Sequence, residues 1–461
     1  MRSIRDPDRM LAEGLAEIRA QFRIPASFPA PVLAAAETAA GRTPSEHTDR
    51  TAMPFVTLDP ASSTDLDQAF SIDAAGPDLL LHYAIADVAW FVADGDLLDS
   101  EAWKRGETTY LPDGKAGLYP PVLAEGAASL LPDGPRPAVI FTTRVAPDGA
   151  VKLQGVERAI IRSRAKLAYD GVRDDQLPAG FIELARRITD AEDRRGAARV
   201  DPPEQEVEAN GNGKFTLRFR PLLPSETRNA AMSLASNLAV ADALQAAGTG
   251  LFRVMSEPSD FAVTRLRLTA QAFGLDWPEQ ATLAQFEKML DLRDPRHGAF
   301  MLAVRRAGEG ASYVPFRPGV IPWHAAMAAT YAHATAPLRR LADRYVIRAA
   351  LAVANAEPVP LAVSEAFERL PAVMDKCQAR SGQVERAVID LAEISMLSGR
   401  EGENFAAVIT DIGENGARFQ LCEMPVVART TAHDVVPGTA IRVRLDQADP
   451  VRRSLAFTRV T

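Results

Sequence analysis

The sequence predicts an α+β fold in which a domain of strands and helices is followed by a small β-barrel. Apolar segments rich in β-branched and aromatic residues, separated by turn residues, dominate from Met53 to about Val145. Apolar residues at helical spacing dominate from Ser225 to about residue 399. The last part of the chain, about sixty residues, returns to short apolar strands at close spacing, which is the pattern of a five-stranded barrel.

The composition is that of a soluble globular protein. At 461 residues the chain is long enough for about three domains, and its 47% hydrophobic and 24% charged residues are ordinary values. No segment approaches the roughly 18 consecutive apolar residues of a membrane-spanning helix, and the first residues lack a signal peptide's apolar stretch. We therefore expect a cytoplasmic protein without a membrane partner. Cys377 and Cys422 stand far apart, which indicates neither a disulfide framework nor a zinc site.

The charge distribution argues against a protein that coats nucleic acid with its whole surface. The formal net charge is −8, so the overall field repels a phosphate backbone. One segment runs against this balance and carries Arg339, Arg340, Arg344 and Arg348 within "PLRRLADRYVIR". A local anion-binding patch is therefore still expected there.

The elements of the first half can be followed in chain order. Residues 7–22 carry apolar residues at helical spacing and predict a docking helix, which ends before the proline-marked "IPASFPAPV". "PFVTL" and "QAFSIDAAGPDLLLHYAIADV" predict strands, with a turn at Ala74 to Asp78. The loop-rich "TTYLPDGKAGLYPP", the strand "PAVIFTTRV", a helix over 181–199 and an extended segment with an Asn-Gly turn follow.

The second half is predicted to be helical and then to form the barrel. Ser225 is the expected cap of a long helix that ends at Gly248, and further helices are predicted over 265–275, 283–306, 324–333, 337–355 and 364–399. The final strands are "NFAAVITDI", "ARFQLCE", "VVART", "TAIRVRLDQAD" and "RSLAFTRV". This spacing is typical of an OB-fold, although it also fits a piece of a sandwich.

Three aspartates crowd into the loop between the first two predicted strands. Asp59, Asp65 and Asp67 lie in "TLDPASSTDLDQAF". Asp and Ser are common in turns and helix caps, so a plain turn is one interpretation. Clustered carboxylates also repel one another unless a cation neutralises them, and Mg²⁺ suits a few carboxylates with waters and a substrate phosphate. The pattern alone leaves both interpretations open.

Five motifs in the same order resemble those of the ribonuclease II catalytic (RNB) family. The family shares a D-x5-D-x-D-D loop, an H-I-A-D-V strand, a Y-L-P segment, an S-x-A-x-L-T/A-Y-D-x-V segment and a T-S-P-I-R-R-Y-x-D helix start. Their counterparts here are the Asp loop, "HYAIADVAWFV", "YLPDG", "SRAKLAYDGV" and "TAPLRRLADRYVIR". The resemblance covers roughly residues 25–400, and the final barrel stands where the family carries an RNA-binding OB domain.

The resemblance implies a processive, hydrolytic exoribonuclease that digests single-stranded RNA from its 3′ end to nucleoside 5′-monophosphates. It implies catalysis by Mg²⁺, with Mn²⁺ as an alternative, because divalent ions bridge a scissile phosphate and activate water. The implied metal ligands are Asp59, Asp65, Asp67 and Gln68, of which Asp65 and Asp67 also serve catalysis. The expected partner is RNA and not DNA, and we expect a monomer.

The resemblance also implies which residues contact RNA. Arg339 is expected to grip the scissile phosphate, since a guanidinium offers forked donors and stays charged. The alternative is an ion pair between Arg339 and Asp343 one helical turn away. Arg340 is the poorer phosphate ligand of the two. Tyr110, Tyr169 and Glu385 complete the expected RNA contacts, although packing or simple exposure explains each of them too.

The chain departs from the family pattern at several positions. Gln68 stands where the family has its fourth loop carboxylate, and an amide oxygen is a weaker Mg²⁺ ligand. Ala230 and Ala231 replace an acidic pair, and Val200 replaces an aromatic residue expected to stack with Tyr110. These changes also allow a different function, in which a degenerate member of the family binds RNA or a protein partner without cleaving. A phosphohydrolase of small nucleotides would leave the barrel without a role.

Three segments are expected on this basis. Residues 1–50 form a helical N-terminal extension, too short for the two cold-shock barrels that family members usually carry. Residues 51–400 form the RNB-like catalytic domain with an RNA channel, and residues 401–461 form the OB-fold.

Overall fold

The structure is a computed structural model that describes most of the chain. The described residues are 10–197, 204–210, 214–220, 222–291, 294–308, 310–413, 416–422, 424, 426–431, 435–436, 439–449 and 452–460. Val200 and the glycines of the predicted Asn-Gly turn lie outside these residues.

Eleven α-helices are found in this described part of the chain. They are α1 (Met10–Gln21), α2 (Ala30–Ala40), α3 (Val88–Phe91), α4 (Leu97–Arg105), α5 (Phe181–Arg194), α6 (Pro224–Ala246), α7 (Asp260–Ala272), α8 (Leu283–Glu287), α9 (Pro295–Ala307), α10 (Leu341–Ala354) and α11 (Leu361–Leu397). None of the helices in the described ranges is both long and apolar enough to cross a membrane.

The strands fall into two five-stranded sheets and several short pairs. They are β1 (Thr48–Asp49), β2 (Thr57–Asp59), β3 (Gln68–Ala75), β4 (Asp78–Ala86), β5 (Thr109–Leu111), β6 (Gly114–Ala116), β7 (Arg136–Val145), β8 (Val151–Ile161), β9 (Lys166–Ala168), β10 (Glu204–Asn210), β11 (Lys214–Arg220), β12 (Leu251–Val254), β13 (Ser312–Pro315), β14 (Trp323–His324), β15 (Ala329–Thr330), β16 (Asn404–Gly413), β17 (Gly416–Leu421), β18 (Val427–Thr430), β19 (Ala440–Asp449) and β20 (Ser454–Val460).

The first sheet lies at the centre of the larger domain. Its strand order is β1-β8-β7-β4-β3, and all neighbours are antiparallel except β1 and β8. The predicted turn at Ala74 to Asp78 is confirmed, because β3 and β4 form a hairpin there and Gly76 takes the positive φ of 64° that favours glycine. Helices α6 and α10 pack on β8, and their apolar residues join those of the sheet in one core.

The second sheet forms the predicted small barrel. Its strand order is β18-β17-β16-β19-β20, with antiparallel neighbours throughout. The side-chain hydroxyl of Thr430 in β18 donates to the carbonyl of Phe457 in β20 at 3.2 Å, so the two edge strands approach each other and nearly close the sheet. Burial alternates along β19, which is the pattern of a sheet with one face on a core.

The 37-residue helix α11 connects the two sheets. Its first part, with Val363 and Phe367, belongs to the core of the first sheet. Its middle, with Val384 and Val388, packs on α1, and its last residue Leu397 lies in the core of the barrel. One continuous helix therefore contributes to three hydrophobic clusters.

Some local expectations are wrong. The segment 324–333 is not helical, because β14 and β15 pair as a short antiparallel ladder around a 3₁₀ turn, and tertiary pairing overrides the helix propensity of its alanines. Residues 283–306 form two helices instead of one. Helix α2, which was not predicted, begins inside the proline-marked segment; Pro29 precedes it and Pro31 lies in its first turn, where no intrahelical donor is lost.

Candidate functional site

The loop with the three aspartates connects β2 to β3. Asp59 is the last residue of β2, which pairs in parallel with β9, and Gln68 is the first residue of β3. The loop is held from outside, since the ammonium of Lys166 donates to the carbonyl of Ala61 at 2.9 Å. The hydroxyl of Ser129 donates to the carbonyl of Thr64 at 2.7 Å and accepts from the amide of Leu66 at 2.9 Å. The loop is thus fixed at both ends and in its middle.

Asp67 is buried where this loop meets the segment that precedes α10. Its Oδ1 accepts a hydrogen bond from the backbone amide of Leu338 at 2.7 Å, and its Oδ2 lies 3.5 Å from Nε of Arg339. Burial raises the pKa of Asp67 to about 7, against the opposing effects of Arg339 and the Leu338 amide. Burial therefore outweighs these two neighbours and disfavours the charged form of the carboxyl group.

Asp59 lies in the wall of a cavity next to the loop. Burial raises the pKa of its carboxyl to about 7 as well, and Arg339 opposes this shift while the charge of Asp65 adds to it. Asp59 and Asp67 thus share the field of one guanidinium. A nearby cation would favour the charged form of both.

Asp65 is neutralised by a side chain of the chain itself. The ammonium of Lys115 lies 2.8 Å from Oδ1 of Asp65 and 3.1 Å from Oε1 of Glu125. The hydroxyl of Tyr110 donates to Oδ2 of Asp65 at 3.5 Å. Neither Lys115 nor Glu125 was expected from the sequence, since only the fold brings the hairpin of β5 and β6 against the loop.

Gln68 forms a bridge between two walls and does not present a free oxygen. The hydroxyl of Tyr83 donates to its Oε1, and its Nε2 donates to the carbonyl of Thr335 at 2.7 Å. In this structure Gln68 thus has a structural role, and its expected role as a metal ligand stays a prediction. A carboxylate could accept from Tyr83 but could not donate to Thr335, so the amide suits this position.

The cavity next to Asp59 has a volume of about 280 Å³. Polar groups dominate its lining, which consists of Asp59, Gln68, Tyr169, Glu226, Asn229, Ala230, Ser233, Leu234, Asn237, Met327, Tyr331, His333, Thr335, Arg339 and Arg340. Ala230 thus occupies the cavity wall, whereas Ala231 is buried in the core. The first of the two alanine replacements changes the cavity surface, and the second changes the packing beneath it.

The two adjacent arginines have different partners. Arg339 is exposed and its guanidinium points toward Asp67. Arg340 binds Asp343 through Nε at 2.9 Å and Nη2 at 2.8 Å. The expected alternative, an ion pair of Arg339 with Asp343, is wrong, because α10 begins at Leu341 and helical spacing does not apply to the residues before it. Arg340 lines the cavity while this ion pair holds it, so it remains the weaker predicted RNA contact.

The other two arginines of the segment are structural. Arg344 is buried and binds Asp99 and the hydroxyl of Tyr345. Arg348 forms a two-pronged ion pair with Asp94 at 2.6 and 2.8 Å. The arginine-rich segment therefore gives one exposed cation to the cavity rather than a basic patch.

Tyr169 and Tyr110 approach the site from two sides. The hydroxyl of Tyr169 accepts from Nδ2 of Asn229 at 2.9 Å in the cavity wall. Ser225, predicted to cap α6, instead donates its hydroxyl to the Tyr169 carbonyl at 2.7 Å, and the helix begins one residue earlier at Pro224. Tyr110 is 55% exposed, so its ring offers a free aromatic face beside Asp65.

Glu385, like Asp65, Asp67 and Tyr110, does not line the cavity. It lies on the exposed side of α11 and contacts Nη2 of Arg305 at 3.4 Å. It is absent from the cavity lining. This position matches the alternative of an exposed helix residue.

His333 is a cavity residue that sequence analysis missed. Its Nδ1 lies 2.8 Å from the hydroxyl of Tyr313, and its ring packs edge-on against Tyr331. Burial lowers the pKa of His333 well below its ordinary value, and Arg340 and Arg253 act in the same direction. A neutral imidazole therefore faces the cavity. Its position six residues before Arg339 was the only available signal.

The donor set fits a divalent ion only in a reduced form. No three His, Cys, Asp or Glu side chains in the described ranges lie close enough together to form a complete metal site. Asp67 is buried and Asp59 is half-buried, and both carboxyl groups have raised pKa values, whereas Asp65 is bound to Lys115 and the Gln68 oxygen to Tyr83. This fits Mg²⁺, which is bound through one or two carboxylates together with waters and substrate phosphates.

Comparison with protein families gives two matches along the chain. The RNB domain family matches residues 47–355. The family described as the RNase II-type exonuclease C-terminal S1 domain matches residues 403–460.

Comparison with curated proteins gives enzymes of RNA breakdown. Ribonuclease R of Aquifex aeolicus is 27% identical over 437 residues, which cover 87% of this chain and 61% of that protein. Exoribonuclease 2 of an Enterobacter species is 28% identical over 408 residues, covering 83% and 62%. The chain thus spans about six tenths of the length of the curated relatives it matches.

Comparison with solved structures supports the fold. Mycoplasma genitalium RNase R in complex with ribose-methylated single-stranded RNA gives a TM-score of 0.84 at 19% identity, covering 98% of this chain and 78% of that one. Yeast Ssd1, described as a pseudonuclease, gives 0.67 at 18% identity, covering 96% and 59%. Proteins with and without nuclease activity therefore share this architecture.

Proposed function

This chain belongs to the RNB family, and from that membership we propose that it is a 3′→5′ exoribonuclease that hydrolyses single-stranded RNA processively to nucleoside 5′-monophosphates. The single observation that carries the proposal is the meeting of Asp67 and Arg339. The amide of Leu338 and the guanidinium of Arg339 both reach the carboxylate of Asp67, so two distant segments converge on one pair of opposite charges. A buried carboxylate beside an exposed guanidinium is suited to a phosphodiester that is cut by water.

Arg339 is assigned to the scissile phosphate. Its side chain is 45% exposed, so it reaches a ligand in the cavity without losing buried contacts. A guanidinium binds two phosphate oxygens at once and stays charged at every physiological pH. Its weak 3.5 Å contact with Asp67 leaves most of its donors available to the substrate.

Asp67 is assigned to the attacking water. A carboxyl group whose pKa lies at about 7 exchanges a proton with water readily at neutral pH. The hydrogen bond from the Leu338 amide fixes the orientation of the carboxylate, so its second oxygen faces Arg339 and the phosphate bound there. Asp67 therefore orients the water in line with the phosphorus atom.

Asp59 and Asp67 are the residues that would hold a divalent ion. Such an ion, when bound, supplies positive charge to the phosphate oxygens and lowers the pKa of a water molecule. Tyr110 would stack on a base, and the hydroxyl of Tyr169 lies in the cavity wall within reach of a sugar or phosphate. Aromatic and phosphate contacts carry no base code, so we expect little sequence preference.

The test is a degradation assay with the purified full chain. Single-stranded RNA labelled at its 5′ end is incubated with Mg²⁺ or Mn²⁺, with DNA of the same sequence as a second substrate, and the products are resolved on a gel. We expect the RNA to shorten progressively from its 3′ end. The Asp67→Asn variant should lose this activity, while Asp133→Asn, which removes a surface carboxylate paired with Arg136, should retain it.

A second candidate function is binding without cleavage. Two observations favour it: the Gln68 oxygen is occupied by Tyr83, and Ala230 stands in the cavity wall where the family pattern has an acidic residue. Full-length RNA in both metals, with RNA still retained by the protein, would contradict the exoribonuclease and support this binding function.

A further inference from the structure

We infer that Lys115 is a fixed cation of the site, which occupies Asp65 and limits the protein to one divalent ion. This inference rests on the proposed function, because it concerns the cations of the same site. It goes further by assigning a role to Lys115 and a number of bound ions.

The first observation is the geometry of Lys115. Its ammonium lies 2.8 Å from Asp65 and 3.1 Å from Glu125; the side chains of Lys115 and Asp65 are largely shielded from solvent, and that of Glu125 is half-buried. Glu125 is itself oriented, since its Oε2 accepts from the hydroxyl of Thr64 at 3.0 Å. Asp65 belongs to the aspartate loop and Glu125 is hydrogen-bonded to it, so the ammonium is held between two carboxylates at this loop.

The second observation is that Lys115 has a carboxylate on each side, at 2.8 and 3.1 Å, and such neighbours favour the charged form of an ammonium. A charged ammonium between two carboxylates compensates one full negative charge in the place where a divalent ion would otherwise do so.

The third observation is that the hairpin carrying Lys115 is anchored. Asp113 at its turn accepts two hydrogen bonds from Arg19 of α1, at 2.7 and 3.3 Å. Leu111 and Ala116, on its two strands, belong to the apolar cluster formed by α1 and α11. Because the backbone is anchored, Cα of Lys115 stays beside Asp65. A lysine on an open surface loop would lack this restraint.

These observations restrict the number of cations. Sites with two metal ions place them about 3.5–4 Å apart and need enough oxygen ligands for both. Here Asp65 is bound by an ammonium and Gln68 is bound by Tyr83 and Thr335. The loop carboxylates that are not bound by an ammonium are Asp59 and Asp67, and these are left for an ion.

The experiment counts bound Mn²⁺ on the full chain without RNA, by electron paramagnetic resonance of free Mn²⁺ during a titration. The wild type should bind one tight Mn²⁺. Lys115→Met leaves Asp65 and Glu125 as two carboxylates without a cation, so it should bind a second Mn²⁺ with an affinity within about tenfold of the first. Lys115→Arg keeps the charge and should behave as the wild type. Lys152→Met, on the exposed face of β8, is the matched control.

Each outcome decides the inference. Two tight ions on the wild type, none at all, or an unchanged count in Lys115→Met would overturn it. Thermal melting of each variant in a chelator separates a changed site from an unfolded chain, and the Lys115→Arg variant tests the charge if the methionine variant is unstable. A wild type that degrades RNA while binding two ions refutes the inference alone. One that binds a single ion but leaves RNA intact refutes the proposed function alone.

Discussion

Arg340 and Asp343 form an ion pair in which Nε and Nη2 of the arginine lie 2.9 and 2.8 Å from the two carboxylate oxygens. The same carboxylate accepts the backbone amides of Thr335 and Ala336 at 3.0 and 2.8 Å. Asp343 is fully buried, so four hydrogen bonds compensate its charge. This cluster fixes the loop before α10 and thereby sets the position of Arg339 at the cavity.

Substitution of the two arginines should separate function from stability. Arg339→Lys replaces a fork by a point charge, and we expect kcat/KM to fall about 30-fold, equivalent to about 2 kcal/mol, at an unchanged melting temperature. Arg340→Met leaves the buried Asp343 carboxylate without its cation, which costs about 3 kcal/mol of stability. RNA decay and thermal melting measure the two effects. Loss of cleavage in the Arg340 variant at wild-type stability would reverse the assignment.

The raised pKa of Asp67 predicts a pH-dependent stability. The pKa of this carboxyl is about 7 in the folded state, above its value in an unfolded chain. Between pH 4 and 7 the folded state therefore binds more protons, and stability falls as pH rises through this range. Asp67→Asn has no such proton to lose, so its advantage over the wild type should grow from pH 5 to pH 8, by roughly 3 kcal/mol at most. Asp59 contributes in the same direction in both proteins.

The measurement is urea unfolding at pH 5 and pH 8 in a chelator, with Asp133→Asn as control. A midpoint difference between Asp67→Asn and the wild type that is equal at both pH values would contradict the shift. Addition of Mg²⁺ to the wild type at pH 8 should recover part of the loss, since a cation favours the charged carboxylate.

Tyr110 should contribute to RNA affinity through its ring. Its side chain is exposed, and stacking of a base on an aromatic ring is worth about 1–3 kcal/mol. Tyr110→Ala should therefore weaken RNA binding about tenfold or more, while Tyr110→Phe retains most of the affinity. Fluorescence anisotropy with labelled RNA in a chelator measures binding without cleavage. Equal losses in both variants would assign the contribution to the hydroxyl that contacts Asp65.

Gly106 should be intolerant of any side chain. It ends α4 with a positive φ of 72°, and its carbonyl accepts the amide of Leu341 at 3.0 Å, next to the arginine loop. A Cβ added there would clash with Sγ of Cys377. Gly95 has a similar φ of 78° but open space around it, so Gly95→Ala reports only the backbone strain, about 1 kcal/mol.

We expect Gly106→Ala to lower the melting temperature clearly more than Gly95→Ala does. The additional loss should decrease when the clash is relieved by Cys377→Ala in the same chain. Equal melting temperatures for the two single variants would show that α11 moves away without cost.

The sequence was informative where a motif is local. The strands on either side of the aspartate loop, the hairpin at Gly76 and the final barrel were all predicted, because turn residues and alternation depend on neighbouring positions. The expected alternative, an ion pair between Arg339 and Asp343, was wrong, because the i, i+4 rule holds only for two residues of one helix. Helix α10 begins at Leu341, so Arg339 lies outside it.

Contacts between distant segments could not be predicted from the sequence. Lys115 and Glu125 meet Asp65 only because the hairpin of β5 and β6 folds over the loop. Tyr83 meets Gln68 across neighbouring strands, and the register of those strands decides which polar groups are satisfied. The motif therefore identified the aspartates but not the partners that decide how many of them are free.

The continuity of α11 has a mechanical consequence. At 1.5 Å per residue its 37 residues span at most about 55 Å, and successive parts of the helix pack into three different hydrophobic clusters. The barrel is therefore connected to the rest of the protein by a packed helix and not by a flexible linker. A ligand that contacts both the barrel and the cavity finds them at a preset distance, so less free energy of association is lost in aligning the two parts of the protein than with a flexible linker.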